Sequence, residues 1–422
     1  MAVSCCMTTR KHVAISFVDQ AILSAANFLV GIVLIKYVTK TDYGLYVLAY
    51  AIILFIVGLQ NALITTQMTV LAPFKAKDEQ DTFCYSLCVG QYFLYAPAAG
   101  IATILLLAFH HVDVISSEQC HLVGIVLIVT VGVLFREFCR SFFFLKSQSR
   151  NVLTMDIVFV ATTFIGLLLG WLSYPEQLHI IAICVFGFAS LASGLVAMDL
   201  GGISVKVDIR QSMASLKEAF AHGRWALGGI VLSLIQGQSY IYLLTAMSGP
   251  TRVAEVNAAR LFLAPLSLLH MSFARVLLPK WSFMRQNGET ERIIRMAKQA
   301  QRLLITIIVV FIAAILFAKD QLVGTLLTKD YTNIDIFILL WGVLSVVQTL
   351  RSSDSWILQA FHQFKQLTLA NILSAVAALA IGALLLKIYG PEGTIVGMIV
   401  AEAILVFSLA KAIKNVLRES SH

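Results

Sequence analysis

The strongest constraint on the fold of this chain is a series of long apolar runs separated by short polar segments. An α-helix of about 20 apolar residues is long enough to cross a bilayer. Inside the bilayer every backbone N–H and C=O must find a partner within the protein, which favours helices over irregular chain. We therefore predict an all-α polytopic membrane protein with twelve spans, covering residues 13–35, 44–72, 83–109, 121–145, 152–172, 178–200, 225–247, 253–278, 303–318, 333–359, 367–387 and 393–410.

The composition excludes an ordinary soluble domain. Apolar residues make up 59% of the chain and charged residues 13%, with a mean hydropathy of +0.85. Such values lie far from the average of soluble proteins. The net charge of +8 would suggest nucleic acid in a soluble protein, but here an uneven distribution of Lys and Arg between the two sides of a membrane accounts for it. No nucleic-acid partner is expected.

The basic residues also predict an orientation. With an uncleaved first span and a cytoplasmic N-terminus, 24 of the 31 Lys and Arg residues fall on the inner side and 7 on the outer side. This bias favours cytoplasmic N- and C-termini. Lys36 and Lys40, in a predicted outer loop, are a local exception.

The predicted spans repeat with a shift of about 210 residues, which indicates two six-helix lobes related by a parallel repeat. The lobes are residues 1–200 and 225–422, and the polar, basic residues 201–224 form a cytoplasmic linker. Tight connections are predicted at Ser248-Gly249-Pro250 and at residues 389–393, because Gly and Pro favour turns. Such a repeat is typical of transporters.

The eighth span carries a cation in its apolar sequence. Arg260 lies about 10 Å from the predicted outer end, and an arginine in the bilayer costs at least about 2.5 to 3.5 kcal/mol on insertion scales, so it should face helices or water. Pro265 predicts a kink one turn later. The alternative is that Arg260 extends outwards or pairs with Glu255 or Asp42. A dense basic loop, containing residues 280–302, is expected to follow.

The tenth span carries a polar stripe. Gln348, Ser352, Ser355 and Gln359 share one helical face, and Arg351 lies beside it. In a membrane such a stripe faces a cavity or other helices. Asp354 follows Arg351 by three residues, close enough to pair with it. Substrate binding and an internal salt bridge are both open interpretations.

Further polar residues complete the candidate site. Arg136 and Arg275 are inner cations that either contact a substrate or anchor the helices at the interface. The candidate lumen-lining residues are Arg260, Arg351, Arg136, Arg275, Gln348, Gln359, Asn27 and Gln236, and the candidate ion-coupling carboxylates are Asp19 and Asp354.

No motif for soluble catalysis is present: there is no phosphate-binding loop, helical His-Glu-x-x-His or nucleophile elbow. The seven cysteines have no metal-ligand spacing. We expect a transporter with no catalytic residues, no metal site and no cofactor, although proton or sodium coupling is open.

Several short motifs resemble the polysaccharide-biosynthesis branch of the multidrug/oligosaccharidyl-lipid/polysaccharide exporter superfamily. The likeness extends over nearly the whole chain. It is carried by Asp19-Gln20, Asn27-Phe28, Thr41-Asp42-Tyr43-Gly44-Leu45-Tyr46, Asn257-Ala258-Ala259-Arg260, Gln359-Ala360-Phe361 and the Tyr-Gly-x-x-Gly hinge at 389–393.

This resemblance implies a V-shaped pair of lobes in the bacterial plasma membrane. It implies a flippase that moves polyprenyl-pyrophosphate-linked oligosaccharide from the inner to the outer leaflet by alternating access, for O-antigen or exopolysaccharide synthesis. The partners would be membrane lipids, a polysaccharide polymerase and export machinery. It also implies a cationic lumen, for which Arg260, Arg351, Arg136 and Arg275 are the available residues. The alternatives are a multidrug-type cation antiporter and a membrane-bound glycan polymerase or ligase.

Overall fold

A computed structural model of the chain describes most of its residues. They are 2–113, 116–201, 208–266, 269–270, 273, 277, 280–281, 284–285, 287, 289–326, 331, 333–361 and 363–419. Within these ranges the regular structure is entirely helical, and eleven helices are long and apolar enough to cross a membrane. The predicted fold class is therefore confirmed.

The helices follow one another with short connections. In chain order they are α1 (Ala2–Tyr37), α2 (Lys40–Gln60), α3 (Thr66–Leu71), α4 (Lys77–His111), α5 (Ser117–Leu145), α6 (Ser149–Ser173), α7 (Leu178–Gly201), α8 (Ile209–Ser248), α9 (Pro250–Phe262), α10 (Thr290–Phe317), α11 (Lys319–Leu326), α12 (Ile334–Ala360), α13 (Phe364–Tyr389) and α14 (Pro391–Glu419). A π-helical turn, Asn61–Thr65, joins α2 to α3.

Two segments are more helical than the sequence patterns predicted. The basic stretch before the ninth span is helical from Thr290, where α10 begins, and this helix already contains Arg292 and Arg302. Its buried residues Ile293, Ala297, Leu304 and Ile308 lie on one face of the helix, so one apolar stripe stabilises both its charged and its apolar half. The described part of the linker is likewise helical from Ile209, where α8 begins.

The chain forms two compact units. The first contains residues 1–30 and 45–231, and the second contains residues 31–44 and 232–422. In the first unit α5 and α7 pack closely at Gly132, where an added Cβ would lie 2.6 Å from the carbonyl oxygen of Gly187. In the second, α13 and α14 approach at Gly382 and Gly397. Small residues at helix contacts let backbones approach within membranes, where packing drives association.

The predicted tight connections are present in the second unit. Gly249 and Gly390 have φ angles of 83° and 70°, a region that glycine enters without steric cost. Each precedes a proline, and Pro250 and Pro391 begin α9 and α14. Proline suits the first helical position because its missing N–H would have no helical partner there.

The segment 31–44 packs against α9 within the second unit. A Cβ on Gly44 would lie 1.9 Å from the carbonyl oxygen of Pro250, so only glycine permits this approach. The hydroxyl oxygens of Thr41 and Thr251 are 2.9 Å apart. The turn between α1 and α2 therefore forms part of the surroundings of α9.

Candidate functional site

Arg260 lies in the last turn of α9, beside the predicted break in the helix. The regular helix ends at Phe262, and the N–H of Leu263 bonds to the carbonyl of Arg260. The break thus begins two residues before Pro265, which has no N–H to offer the carbonyl of Leu261. This break places the Arg260 side chain at the end of the short helix α9.

Neutral groups surround the Arg260 guanidinium. Its Nη1 donates to the hydroxyl oxygen of Tyr240 at 2.9 Å and lies 3.5 Å from Oε1 of Gln238, both on α8. The guanidinium carbon is 5.6 Å and 5.3 Å from the ring centroids of Tyr240 and Trp341. Aromatic faces attract such a cation by about 0.5 to 2 kcal/mol. These contacts orient the cation without neutralising its charge.

A directed chain of hydrogen bonds supports this arrangement. The Tyr240 hydroxyl donates to Oδ1 of Asn257 at 2.8 Å, and Nδ2 of Asn257 donates to the hydroxyl oxygen of Tyr43 at 2.8 Å. Trp341 Nε1 donates to the carbonyl of Val256 at 3.0 Å. Because Tyr240 already donates to Asn257, its oxygen lone pair is available to Arg260.

No carboxylate pairs with Arg260 in the described part of the chain. The alternative partner Glu255 is buried and instead pairs with Lys40 at 3.4 Å and Arg252 at 2.8 Å. The hydrogen bond that Arg252 donates to Glu255 raises the pKa of Arg252. Lys40 is one of the two basic residues of the predicted outer loop, and its Nζ also lies 5.0 Å from the ring centroid of Tyr331. Burial raises the pKa of Tyr331 to about 12, so this hydroxyl stays neutral.

Arg351 differs from Arg260 in having an acidic partner. Its Nε lies 2.9 Å from Oε2 of Glu402 on α14, and the Glu402 side chain is buried. Asp354 on the same helix, the partner that the spacing allowed, is half-buried and has no ion pair among the described residues. The interhelical contact prevails because Glu402 is carried by a helix that packs directly on α12.

The other candidate residues of the second unit lie in several environments. Gln236 is buried, and its Nε2 donates to the hydroxyl of Ser374 at 2.8 Å, so it joins α8 to α13. Gln348 and Gln359 on α12 are half-buried. Arg275 lies outside the described residues.

In the first unit Arg136 belongs to a buried charge cluster. Arg136 contacts Glu137 at 3.0 Å and also pairs with Asp156. Arg140 contacts Asp156 at 3.0 Å and Asp19 at 2.7 Å. The Arg136 guanidinium carbon lies 3.8 Å from the ring centroid of Phe159. Arg136 is therefore already paired with carboxylates of the first unit, whereas Asn27, the other candidate lumen-lining residue of this unit, is exposed.

Formal charges in this cluster do not balance, since three carboxylates face two guanidinium groups. Asp19 is fully buried, and its Oδ1 and the Nε of Arg136 have no hydrogen-bond partner. Burying an unpaired charge is costly. One added proton or monovalent cation would bring the formal charge of the five groups to zero.

Sequence patterns missed the contacts that hold the candidate cations. Tyr240 and Trp341 were not selected because an aromatic residue in an apolar span is indistinguishable from packing. Asp156 and Arg140 are 16 residues apart, too far to be related by helical spacing. The only signal for Asn257 was its place in the motif that ends at Arg260.

Comparison with known proteins identifies the fold. No protein-family profile and no curated protein sequence matches this chain. Among solved structures it is similar to the lipid II flippase MurJ in an inward closed conformation, with 16% identity and a TM-score of 0.74 over 95% of this chain and 87% of that one.

Two further similarities concern other transporters. A multidrug resistance MATE family transporter of the MOP superfamily, in an inward-facing conformation, has 14% identity and a TM-score of 0.74 over 94% of this chain and 96% of that one. A MOP superfamily transporter from Pyrococcus furiosus has 11% identity and a TM-score of 0.66 over 98% and 96%. At these identities the likeness shows a shared fold, that of MurJ and the MATE transporters.

Proposed function

We propose that this protein is a flippase for a lipid-linked oligosaccharide, and that Arg260 binds the anionic pyrophosphate that joins glycan to lipid. The observation that carries the proposal is the set of contacts around Arg260. It is a guanidinium in a predicted membrane span, held by Tyr240, Gln238 and Trp341, with no acidic partner among the described side chains.

The contrast with the other arginines supports this assignment. Arg136, Arg140 and Arg351 each have a carboxylate within ion-pair distance. An unpaired arginine in a bilayer costs at least about 2.5 to 3.5 kcal/mol. An anionic ligand that pairs with Arg260 would offset this cost. Guanidinium groups bind phosphate oxygens through two parallel N–H donors.

The physical requirements of the substrate fit a transporter of this fold. A glycan head cannot cross hydrocarbon unaided because its hydroxyls would lose their hydrogen bonds. Its polyprenyl tail remains stable in the bilayer throughout. A transporter that shields the head and leaves the tail in lipid removes most of the barrier. The solved MurJ structure, described as a lipid II flippase, is a precedent for a lipid-linked substrate on this fold.

Other parts of the proposal follow from the same assignment. We place the protein in the bacterial plasma membrane with both termini in the cytoplasm, moving substrate from the inner to the outer leaflet. Gln348, Gln359, Asn27 and Arg275 remain proposed contacts for the glycan, and Arg351 binds phosphate when Glu402 releases it. Asp19 is the proposed coupling carboxylate. A polysaccharide polymerase and export machinery would use the product.

The experiment is lipid analysis of cells that lack this protein. Polyprenyl-pyrophosphate oligosaccharides are extracted and measured by mass spectrometry, after complementation with wild type, Arg260→Gln, Arg260→Lys or Arg252→Ala. We expect accumulation that wild type relieves and Arg260→Gln does not, because glutamine can still bond to Tyr240 but carries no charge. Arg260→Lys should give partial relief, since lysine lacks the paired donors.

Arg252→Ala is the matched control. Arg252 lies on the same helix, but it is half-exposed and paired with Glu255. It should relieve accumulation as well as wild type does. Equal export by wild type and Arg260→Gln at equal protein levels would contradict the proposed role of Arg260. No accumulation in the deletion strain, with an active glycan pathway and no second flippase, would contradict the substrate class.

A second candidate function is a multidrug-type cation antiporter. Asp354 favours it, because a half-buried carboxylate without an ion pair in the described chain would attract a cation. The similarity to a multidrug resistance MATE family transporter is the precedent. Under this function, overexpression should protect cells against several cationic drugs, and Asp354→Asn should abolish the protection. Unchanged susceptibility across a drug panel would exclude it.

A further inference from the structure

His270, a half-buried residue in the predicted eighth span, contacts its own span through one ring nitrogen and α12 through the other. Nδ1 lies 3.1 Å from the carbonyl oxygen of Leu266, and Nε2 lies 2.7 Å from the hydroxyl oxygen of Thr349. The Thr349 hydroxyl is also 2.8 Å from the carbonyl oxygen of Ser345. Thr349 is buried, so this small network is closed to solvent on the α12 side.

Counting protons in this network limits its states. The Leu266 carbonyl can only accept, so Nδ1 must carry a hydrogen. The Thr349 hydroxyl has one hydrogen and two neighbours that could receive it. If that hydrogen points to Nε2, the ring is neutral, and the Ser345 carbonyl receives no hydrogen bond from the Thr349 hydroxyl. If it points to the Ser345 carbonyl, Nε2 must itself carry a hydrogen and donate to Thr349, and the ring is a cation.

We propose that His270 is a proton-binding site, in which uptake of one proton at Nε2 turns the Thr349 hydroxyl from the ring to the Ser345 carbonyl. Both forms are hydrogen-bonded in the same arrangement of heavy atoms. The proton comes from water, and nothing else in the network is gained or lost. A histidine whose neighbour could only donate or only accept would lose a hydrogen bond in one of its two protonation states.

The charged groups around the ring connect this site to the substrate. Among the described residues, Arg351 on α12 is a charged side chain near the ring, and its positive charge opposes a second positive charge there. Arg351 is paired with Glu402 on α14, and Asp354 lies further along α12. A pyrophosphate that replaces Glu402 at Arg351 carries more negative charge than one carboxylate and would reduce this opposition. Resting on the proposed function, anionic substrate and proton would therefore bind with positive linkage.

The direct test observes the ring nitrogens by NMR. The full chain, labelled with 15N-histidine, is placed in lipid nanodiscs, and the signals of His270 among the nine histidines are assigned by their absence in His270→Gln. We expect a neutral ring protonated on Nδ1 at about pH 8 and a ring protonated on both nitrogens at about pH 5. A neutral ring protonated on Nε2, or a ring still neutral at the lower pH, would overturn the proposal.

Two substitutions at Thr349 test the role of the hydroxyl. Thr349→Val keeps the shape but cannot accept from the ring, so the ratio of charged to neutral ring at a fixed pH should fall about tenfold, because a hydrogen bond to a charged group is the stronger one. Thr349→Ser keeps the hydroxyl and should leave the ratio unchanged. Equal ratios in the valine and serine variants would show that the hydroxyl has no part in proton binding.

The linkage is tested with inorganic pyrophosphate as the probe. It should increase the charged fraction of His270 in wild type and not in Arg351→Gln. An equal increase in both proteins, or none in either, would reject linkage through Arg351. The titration without pyrophosphate requires no transport, so it still decides the proton site if the glycan-lipid assay fails.

Discussion

The buried charge cluster of the first unit should be a large contributor to stability, and Asp156→Asn tests this. Asp156 accepts from both Arg136 and Arg140, and its side chain is 1% exposed. Asparagine keeps the shape but removes the charge between two guanidinium groups. Removing one partner of a buried ion pair costs about 3 to 5 kcal/mol. Here the cost comes from losing the two charge-assisted contacts of Asp156, because the formal charges of the remaining four groups sum to zero.

Neighbouring acids reduce this cost. Arg136 keeps Glu137 at 3.0 Å, and Arg140 keeps Asp19 at 2.7 Å. We therefore expect the lower end of the range, about 3 kcal/mol. For a unit of this size each kcal/mol moves the unfolding midpoint by about 2 to 4 °C, so the midpoint should fall by roughly 6 to 12 °C.

The assay is thermal unfolding of the purified protein in one detergent, followed by fluorescence. The control is Asp81→Asn in the same unit, since the Asp81–Lys146 pair has a carboxylate that is 49% exposed. Exposed pairs contribute about 0 to 1 kcal/mol, so this variant should lower the midpoint by no more than about 4 °C. Equal, small shifts in both variants would refute the reasoning.

Three further predictions concern individual residues. Gly44→Ala should lower the stability of the second unit, because the new Cβ would lie 1.9 Å from a backbone oxygen of α9. Gly100→Ala should be neutral or stabilising in the same unfolding assay, because a Cβ there would meet nothing within 4 Å. Tyr240→Phe removes the hydroxyl that accepts from Arg260 and should reduce glycan-lipid export at normal expression, as the complementation assay would measure; unchanged export would contradict it. The pKa of Tyr331 in the folded protein, about 12, exceeds its usual value of 10. The stability of the protein should therefore fall as the pH rises through this interval, because the hydroxyl ionises first in the unfolded chain. Tyr331→Phe should lose less stability over the same interval, and identical pH profiles of the two proteins would contradict this.

Much of the fold could be predicted from local sequence. Long apolar runs predict membrane helices because the bilayer imposes one length and one way of satisfying the backbone. The turns at Gly249 and Gly390 were predictable because Gly-Pro combines a positive φ with a favourable first helical residue. The helical start of α10 was missed, since a basic segment before an apolar run resembles a loop until its buried face is seen.

The polar residues were harder to interpret. Sequence spacing reports only neighbours on the same helix, at three or four residues, and therefore suggested Asp354 as the partner of Arg351. The actual partner, Glu402, is 51 positions away on another helix. For Arg136, the sequence left open whether it is an anchor or a contact for substrate, and packing placed it beside Asp156.

By itself the sequence determined that this chain forms apolar helices, where the tight turns lie, and which few residues carry charge into the apolar spans, because each of these depends on local composition. Only the tertiary structure decided which charges are neutralised. Ion pairing depends on the contacts between helices, and these bring carboxylates to Arg136, Arg140 and Arg351 but give Arg260 neutral partners in Tyr240 and Trp341.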